Sequence, residues 1–326
     1  MRQSLLSSAE AAAYGAKLSG AGSAPHYPQP FATEIIKRLE KLGGTDVFDL
    51  PSQSDALNAA IGSVISGKRT FLANSFVHEL GDALRIAQFR LPIVAVDVSR
   101  AAGTFRPERN LAAYSGWLSF IPQSNQEIID IIIICYKICE DGKVMLPAVV
   151  SIDHADFYEP VSLPSEQIIK NFLPKHPKKL QKTSYAPRSH DIKGAVENAA
   201  KLYTKVNEKW KKKFRRVYAL SEPYMVDDAE RIIVASGMHS ATAKAAVSTA
   251  RKNGEKVGLL RLASLRPFPE QAIASLAGKN VAVVDSSLLL YHHVAQRIKC
   301  SPFVLHSPGE KDFINVLQSM RKQSQA

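Results

Sequence analysis

Apolar positions along this chain follow two spacings. In Ala32–Leu42, the residues Ile35, Ile36, Leu39 and Leu42 return with a helical period, which predicts an amphipathic helix. Ala9–Leu18, the small-residue stretch Asp55–Ser66, Val77–Phe89 and Gln126–Glu140 read as helices on the same grounds. Between them lie short runs with few polar residues: Val47–Phe48, Arg69–Ala73, Pro92–Asp97 and Leu146–Ile152. Such runs suit strands buried on both faces of a parallel sheet. Strands alternating with helices therefore predict an α/β fold with a parallel sheet covered on both sides.

A second α/β unit repeats the logic. Ala229–Gly237 reads as a strand running into Gly237, Ala241–Asn253 as a helix, Gly254–Arg261 as a turn and strand, and Asn280–Asp285 as a third strand. Arg266-Pro-Phe-Pro269 opens a further helix, with Pro269 in its first turn, where a missing N–H is tolerated. Gly237-Met-His-Ser-Ala lacks the second and third glycines of a dinucleotide-binding turn, so a Rossmann cofactor site is not expected. Between the units, Pro174, Pro177 and Pro187 break the pattern and mark a linker. From Asp191 to Tyr218 a helical spacing resumes at Ala195, Val196, Ala199, Leu202, Tyr203, Val206, Trp210, Phe214 and Val217. With 326 residues the chain has room for about two domains of ordinary size. They are expected at 1–165 and 227–326, joined by a basic linker and helix at 166–226.

Charge changes this picture in one place. The net charge of +12 concentrates between Lys170 and Arg216, and Lys209, Lys211, Lys212 and Lys213 fall on the outer face of the long helix. That face reads as a solvated surface or a docking surface for an acidic subunit. No nucleic-acid partner is expected, because no reading module accompanies the charge. The three cysteines, Cys135, Cys139 and Cys300, form no Cys-x-x-Cys pair, so a cluster or zinc held by this chain alone is not expected. Cys135 and Cys139 read as buried thiols on one helix face. Few thiols suit a reducing cytoplasm. The N-terminal stretch lacks a long apolar core and suggests no signal peptide, and Ile128–Cys139 is too short and too charged to span a membrane. His78-Glu79 has no second histidine at helical spacing, and the pair His292 and His293 reads as a structural feature, so no metal site is assigned.

The segment Asp49-Leu-Pro-Ser-Gln53-Ser-Asp55-Ala-Leu-Asn-Ala-Ala-Ile-Gly62 resembles the thiamine-activating block of 2-oxoacid:ferredoxin oxidoreductase alpha subunits, which reads Ser-Glu-x-x-Ala-x-x-Ala-x-x-Gly. Ala9–Ala16, Tyr27-Pro28 with Thr33-Glu34-Ile-Ile, Arg90–Arg100, Ser115-Gly-Trp117, Glu140-Asp141 and Leu146-Pro147 are similar to further motifs of that family, in the same order. So are Asp228-Ala-Glu, Val257–Leu262 and Arg266–Pro269. The resemblance covers nearly the whole chain. It implies a pyrimidine-binding domain of the thiamine diphosphate fold, followed by a smaller transketolase-C-terminal-like α/β domain.

What the resemblance implies for chemistry is a site shared between subunits. The alpha chain would grip the pyrimidine of thiamine diphosphate through Tyr27, Pro28, Gln53, Asn74 and Ser75. A beta subunit would hold the diphosphate and magnesium, and iron–sulfur clusters would lie on partner subunits, including gamma- and delta-like chains. A 2-oxoacid, pyruvate first, would lose carbon dioxide, coenzyme A would take the acyl group, and ferredoxin the electrons. Gln53 and Arg100 take the catalytic positions. Arg100 matches the arginine that meets the substrate carboxylate, which its guanidinium fork suits.

The chain departs from the pattern at four points, one of them the segment Asn74-Ser-Phe-Val-His-Glu79, which is shorter than the family's Ser-x-Gln-Gly-Leu loop. Gln53 stands where the family has glutamate, and an amide hydrogen-bonds without titrating. Pro30 stands where a loop threonine touches substrate, and proline has no hydroxyl and no N–H. The glycines expected after Asp285 are replaced by Ser-Ser-Leu-Leu-Leu290. Asp49 and Asp55 are candidate stand-in carboxylates, although Asp55 would face away from Gln53 on a helix. Two readings stay open: a working alpha subunit, or a diverged, non-catalytic scaffold or assembly subunit of such a complex.

Overall fold

The computed structural model describes residues 2–73, 80–98, 115–152, 158–174, 191–286, 288–306 and 308–323. These fall into two compact units, 2–218 and 219–323.

Unit 1 holds the strands β1 (Arg2–Ser7), β2 (Ser23–His26), β3 (Asp46–Asp49), β4 (Phe71–Ala73), β5 (Val94–Val98), β6 (Leu118–Phe120), β7 (Ala148–Ile152) and β8 (Tyr158–Leu163). Its helices are α1 (Ser8–Leu18), α2 (Pro30–Leu42), α3 (Gln53–Ile65), α4 (Leu80–Gln88), α5 (Asn125–Cys139), α6 (Glu166–Phe172) and α7 (Ile192–Phe214). Strands β6, β7, β5 and β4 lie side by side in that order, all parallel. Strands β2 and β3 form a separate parallel pair, and β1 pairs antiparallel with β8. On one side of the sheet, Leu57, Val64, Leu72, Ile86, Ile93 and Trp117 form a continuous apolar core.

Helix α5 is buried almost all round, from Ile128 to Cys139, with only Lys137 half-exposed. It packs so closely on α1 that a Cβ at Gly15 would lie 3.0 Å from Cβ of Ile132. Glu140, just past α5, accepts two hydrogen bonds from Arg69, at 2.6 and 2.9 Å. The same guanidinium donates to the carbonyls of Ser19 and Pro174. At the other end Asp130, fully buried, accepts from Gln126 Nε2, Trp210 Nε1, Arg216 and Tyr218 Oη at 2.6–3.2 Å. These contacts fasten α7 and the turn after it to α5. Trp210 also packs against Phe172 and Phe214.

Unit 2 is a second sheet in the order β14 (Ser301–Val304), β13 (Asn280–Asp285), β10 (Arg231–Ser236), β11 (Val257–Leu262) and β9 (Ser221–Tyr224). All but β9 run parallel. Ile233, Val247, Leu259, Val284, Phe313 and Leu317 centre its core, with α8 (His239–Lys252) and α11 (Glu310–Gln323) against it. The short elements β12 (Ser264–Arg266), α9 (Glu270–Ala274) and α10 (Leu289–Ala295) complete it.

The helices and buried strands expected from periodicity are present, with one shift that matters. Helix α3 begins at Gln53 rather than Asp55, because Ser52 caps it by accepting the Asp55 N–H at 3.1 Å. Strands β1, β6, β8, β9 and β14 carry too few residues or too little apolar alternation to stand out in sequence. Cys135 and Cys139 are both fully buried on α5, as the spacing suggests. No helix among the described residues is long and apolar enough to cross a membrane.

Candidate active site

The residues matching the thiamine-activating block start where two helices begin. Strand β2 ends at His26, and residues 27–29 lead into α2, with Gln29 as its N-cap and Pro30 as its first residue. Strand β3 ends at Asp49, and the chain turns through Ser52 into α3 at Gln53. The Leu50 N–H donates to the His26 carbonyl at 2.7 Å, tying the two turns together. Gln29 Nε2 then donates to Gln53 Oε1 at 3.3 Å, so the N-termini of α2 and α3 meet through their amides.

Gln53 is 6% exposed, and its Nε2 has no hydrogen-bond partner among the described residues. A buried amide donor left unsatisfied costs about 1–3 kcal/mol. It sits in the first turn of a helix, where free N–H groups already favour an acceptor. The donor therefore fits a neutral ring nitrogen such as that of an aminopyrimidine. It does not fit the proton-sharing role of a carboxyl group, because an amide has no proton to exchange near neutral pH.

The stand-in carboxylates do not reach this point. Asp55 is exposed, and its carboxylate accepts from the Ser52 hydroxyl at 2.6 Å. Asp49 is exposed on β3. Tyr27 is half-buried, while Pro28 and Pro30 are exposed. Asn74, Ser75 and Arg100 lie outside the described residues.

His26 was not singled out by the sequence reading, nor was Gln29. His26 is buried, bonded through Nε2 to Thr33 Oγ1 at 3.1 Å and in register with Asp49 across the β2–β3 pair. Burial pushes its pKa down, with the Asp49 charge and the Ala73 backbone opposing. A cavity of about 160 Å³ lies beside His26, Thr33, Phe48 and Asp49. It is smaller than the roughly 300–1,000 Å³ of a small-molecule site, and Gln53 does not line it.

Several other motif residues prove to be scaffold. Arg90 adopts φ +57°, is buried, and donates to the Val144 carbonyl at 2.5 Å, bracing the approach to β7. Trp117 is fully buried and donates to the Ala83 carbonyl at 2.8 Å. In unit 2, His293 stacks on Phe268, over which Arg297 also lies, paired with Glu270. His293 is pushed down mainly by burial, then by Arg297. Among the described residues no three His, Cys, Asp or Glu side chains gather where they could hold a metal ion.

Comparison with known proteins identifies the family. Residues 25–226 match the family described as pyruvate flavodoxin/ferredoxin oxidoreductase, thiamine diphosphate-binding. Residues 229–312 match pyruvate:ferredoxin oxidoreductase core domain II. The chain is 31% identical to pyruvate synthase subunit PorA of Methanocaldococcus jannaschii, across 88% of this chain and 83% of that one. It is 27% identical to the alpha subunit of NADH-dependent phenylglyoxylate dehydrogenase of Aromatoleum evansii, across 92% and 81%. Among solved structures, a 2-oxoglutarate:ferredoxin oxidoreductase of Magnetococcus marinus superposes with a TM-score of 0.75 at 16% identity, covering 98% of this chain and 65% of that one. A split-gene transketolase superposes at 0.59 and 14%, covering 97% and 98%. The expected fold class holds, a thiamine diphosphate-type α/β domain followed by a second α/β unit. The chain belongs to the 2-oxoacid:ferredoxin oxidoreductase family, as an alpha-subunit member.

Proposed function

We propose that this chain is the alpha subunit of a thiamine-diphosphate-dependent complex that oxidatively decarboxylates a 2-oxoacid, pyruvate first, to an acyl-coenzyme A. The observation that carries this is the buried Gln53 Nε2, without a partner among the described residues, in the segment that resembles the family's pyrimidine-activating block. Thiamine diphosphate, when bound, supplies a nucleophilic carbon and an electron sink that protein side chains lack. This chain's part is to hold the ring. Gln53 would donate through Nε2, kept in place by the Gln29 bond to its Oε1, with Tyr27, Pro28, Asn74 and Ser75 around it. Arg100 would take the substrate carboxylate, and Pro30 would shape the pocket beside it without contributing a hydrogen bond.

The rest of the site belongs to partners: a beta subunit for the diphosphate and magnesium, and gamma- and delta-like chains with clusters that pass electrons singly to ferredoxin in the cytoplasm. The decisive measurement is 2-oxoacid-dependent dye reduction by the complex assembled on this chain, with and without added thiamine diphosphate. Cofactor-dependent turnover is expected. A complex that binds the cofactor but turns over no 2-oxoacid would favour the second reading, a scaffold subunit. That reading rests on the missing carboxylate: Gln53 does not titrate, and both nearby aspartates are exposed.

A further inference from the structure

A ring of hydrogen bonds closes around the starts of α2 and α3, and it passes through His26. The His26 carbonyl accepts the Leu50 N–H at 2.7 Å, and its Nε2 is bonded to Thr33 Oγ1 at 3.1 Å. The Thr33 N–H donates to the Gln29 carbonyl at 2.7 Å, and Gln29 Nε2 donates to Gln53 Oε1 at 3.3 Å. The chain from Gln53 back to Leu50 completes the circuit. The imidazole meets two kinds of partner on two elements: the neutral hydroxyl of Thr33 on α2, and the carboxylate of Asp49 on β3, in register with it. The cavity of about 160 Å³ beside the ring is lined also by Lys37 and Glu40 of α2. It is polar and roomy enough for water, which gives a proton a route to a side chain only 2% exposed. From β4 the Ala73 backbone faces the ring. Helix α3, packed on the same strand, carries one charged residue, Asp55, which is exposed and bonded to Ser52. Burial disfavours the charged imidazole first, while the Asp49 charge and the Ala73 backbone favour it.

We propose that His26 is a positioning residue of the pyrimidine site, an inference that rests on the functional reading above: neutral, it closes the ring that presents the Gln53 amide, and protonated, it opens that ring. A neutral imidazole can accept the Thr33 hydroxyl at Nε2, whereas an imidazolium donates at both nitrogens and accepts at neither. A charge taken out of water is costly unless it is paired. Protonation therefore favours Asp49 and the cavity over Thr33. The first turn of α2 is released, and Gln29 with it. Gln53 then loses the bond that aims its Nε2. The site holds an aminopyrimidine best while His26 is neutral, so cofactor binding and proton loss at His26 favour each other. Affinity is full above the free site's pKa, which lies below the ordinary 6.5. Beneath it affinity falls by up to about tenfold per pH unit.

The test is calorimetric titration of thiamine diphosphate into the assembled complex from about pH 5 to 8, the range in which histidine changes charge. Buffers of different ionisation enthalpy count the protons released along with the heat. A terminal phosphate itself titrates near pH 6, so every variant is read against wild type. His26→Gln keeps a neutral hydrogen-bonding group. Its affinity at the alkaline end should stay within about threefold of wild type, while the acid loss flattens and proton release on binding drops. His26→Ala should lose up to about tenfold at the alkaline end, as one neutral hydrogen bond implies. Asp49→Asn removes the charge that favours the imidazolium, so the acid limb should move to lower pH. The same affinity profile and proton release in wild type and His26→Gln would overturn the proposal while leaving cofactor binding intact. So would a wild-type affinity that does not change with pH. If His26→Gln does not assemble, Asp49→Asn decides: an acid limb that stays in place overturns the proposal. A wild-type complex that takes up no thiamine diphosphate at any pH removes the functional reading, and this role of His26 with it.

Discussion

Asp130 and Gln53 are both buried polar side chains on helices of unit 1, and they are treated in opposite ways. Asp130 collects donors from Gln126, Trp210, Arg216 and Tyr218 and is saturated. Gln53 has one long bond from Gln29 and an idle donor. A satisfied network holds one conformation, because any change breaks several charge-assisted bonds at once. An idle donor in a buried position keeps its free energy for a ligand. The Asp130 end of unit 1 is therefore closed, whereas the β2–α2 and β3–α3 end keeps one buried donor unused among the described residues.

The sharpest way to break this contrast is to make Gln53 titratable. Positioned acid–base groups contribute about 100- to 10,000-fold, so Gln53→Glu should raise hydrogen–deuterium exchange at the thiazolium C2 of the bound cofactor by up to that range. NMR of the quenched complex reads it. No change would mean that Gln53 is not at the pyrimidine or that another carboxylate already serves. Next in size is Asp130→Ala. Removing one member of a buried charged pair costs about 3–5 kcal/mol, and urea unfolding should show a loss near the lower figure because Arg216 is partly exposed.

Gly15→Ala tests the α1–α5 seam. The methyl meets fully buried Ile132, an overpacking worth about 1–3 kcal/mol. Against that stands roughly 1 kcal/mol of helix propensity. A net loss of about 1 kcal/mol in urea titration is expected. Gln29→Ala should leave stability nearly alone and weaken thiamine diphosphate binding by up to about tenfold, since one neutral hydrogen bond is worth roughly 0.5–1.5 kcal/mol; calorimetry on the complex measures it.

The smallest effect concerns pH. His26 has its folded pKa below the unfolded value of about 6.5. The unfolded chain therefore binds the proton more readily, and stability is full above that pH and declines as pH falls through the window below it. His293 has the same sign in unit 2. His26→Gln should flatten part of the decline in the urea midpoint below pH 6.5, and His293→Gln a separate part.

Much of this was legible in the chain because it is local. The 3.6-residue spacing of Ile35, Ile36 and Leu39 and the run Val94–Val98 report burial directly. The Trp210 and Phe214 face of α7 did so as well. The start of α3 was misplaced because a helix-poor Ser52 hides its role until its hydroxyl is seen capping Asp55 N–H. His26 and Gln29 carried no periodic signal. Their importance comes from Thr33 and from Gln53, the latter 24 residues away in sequence. The motifs that carried the resemblance mixed two kinds of residue. Arg90, Trp117 and Glu140 are braces, and only their contacts distinguish them from site residues.

The saturation of Asp130 also sets an order of events at the ribosome. Its partners Trp210, Arg216 and Tyr218 follow it by 80, 86 and 88 residues. At roughly 5–20 residues per second of synthesis, that is on the order of ten seconds. During that interval the isoleucine-rich helix α5 has emerged with its carboxylate uncompensated and its α7-facing side bare. Unit 1 cannot complete this part of its interior until the basic helix has followed it out, so the nascent first domain keeps apolar surface of α5 exposed for that stage of its synthesis.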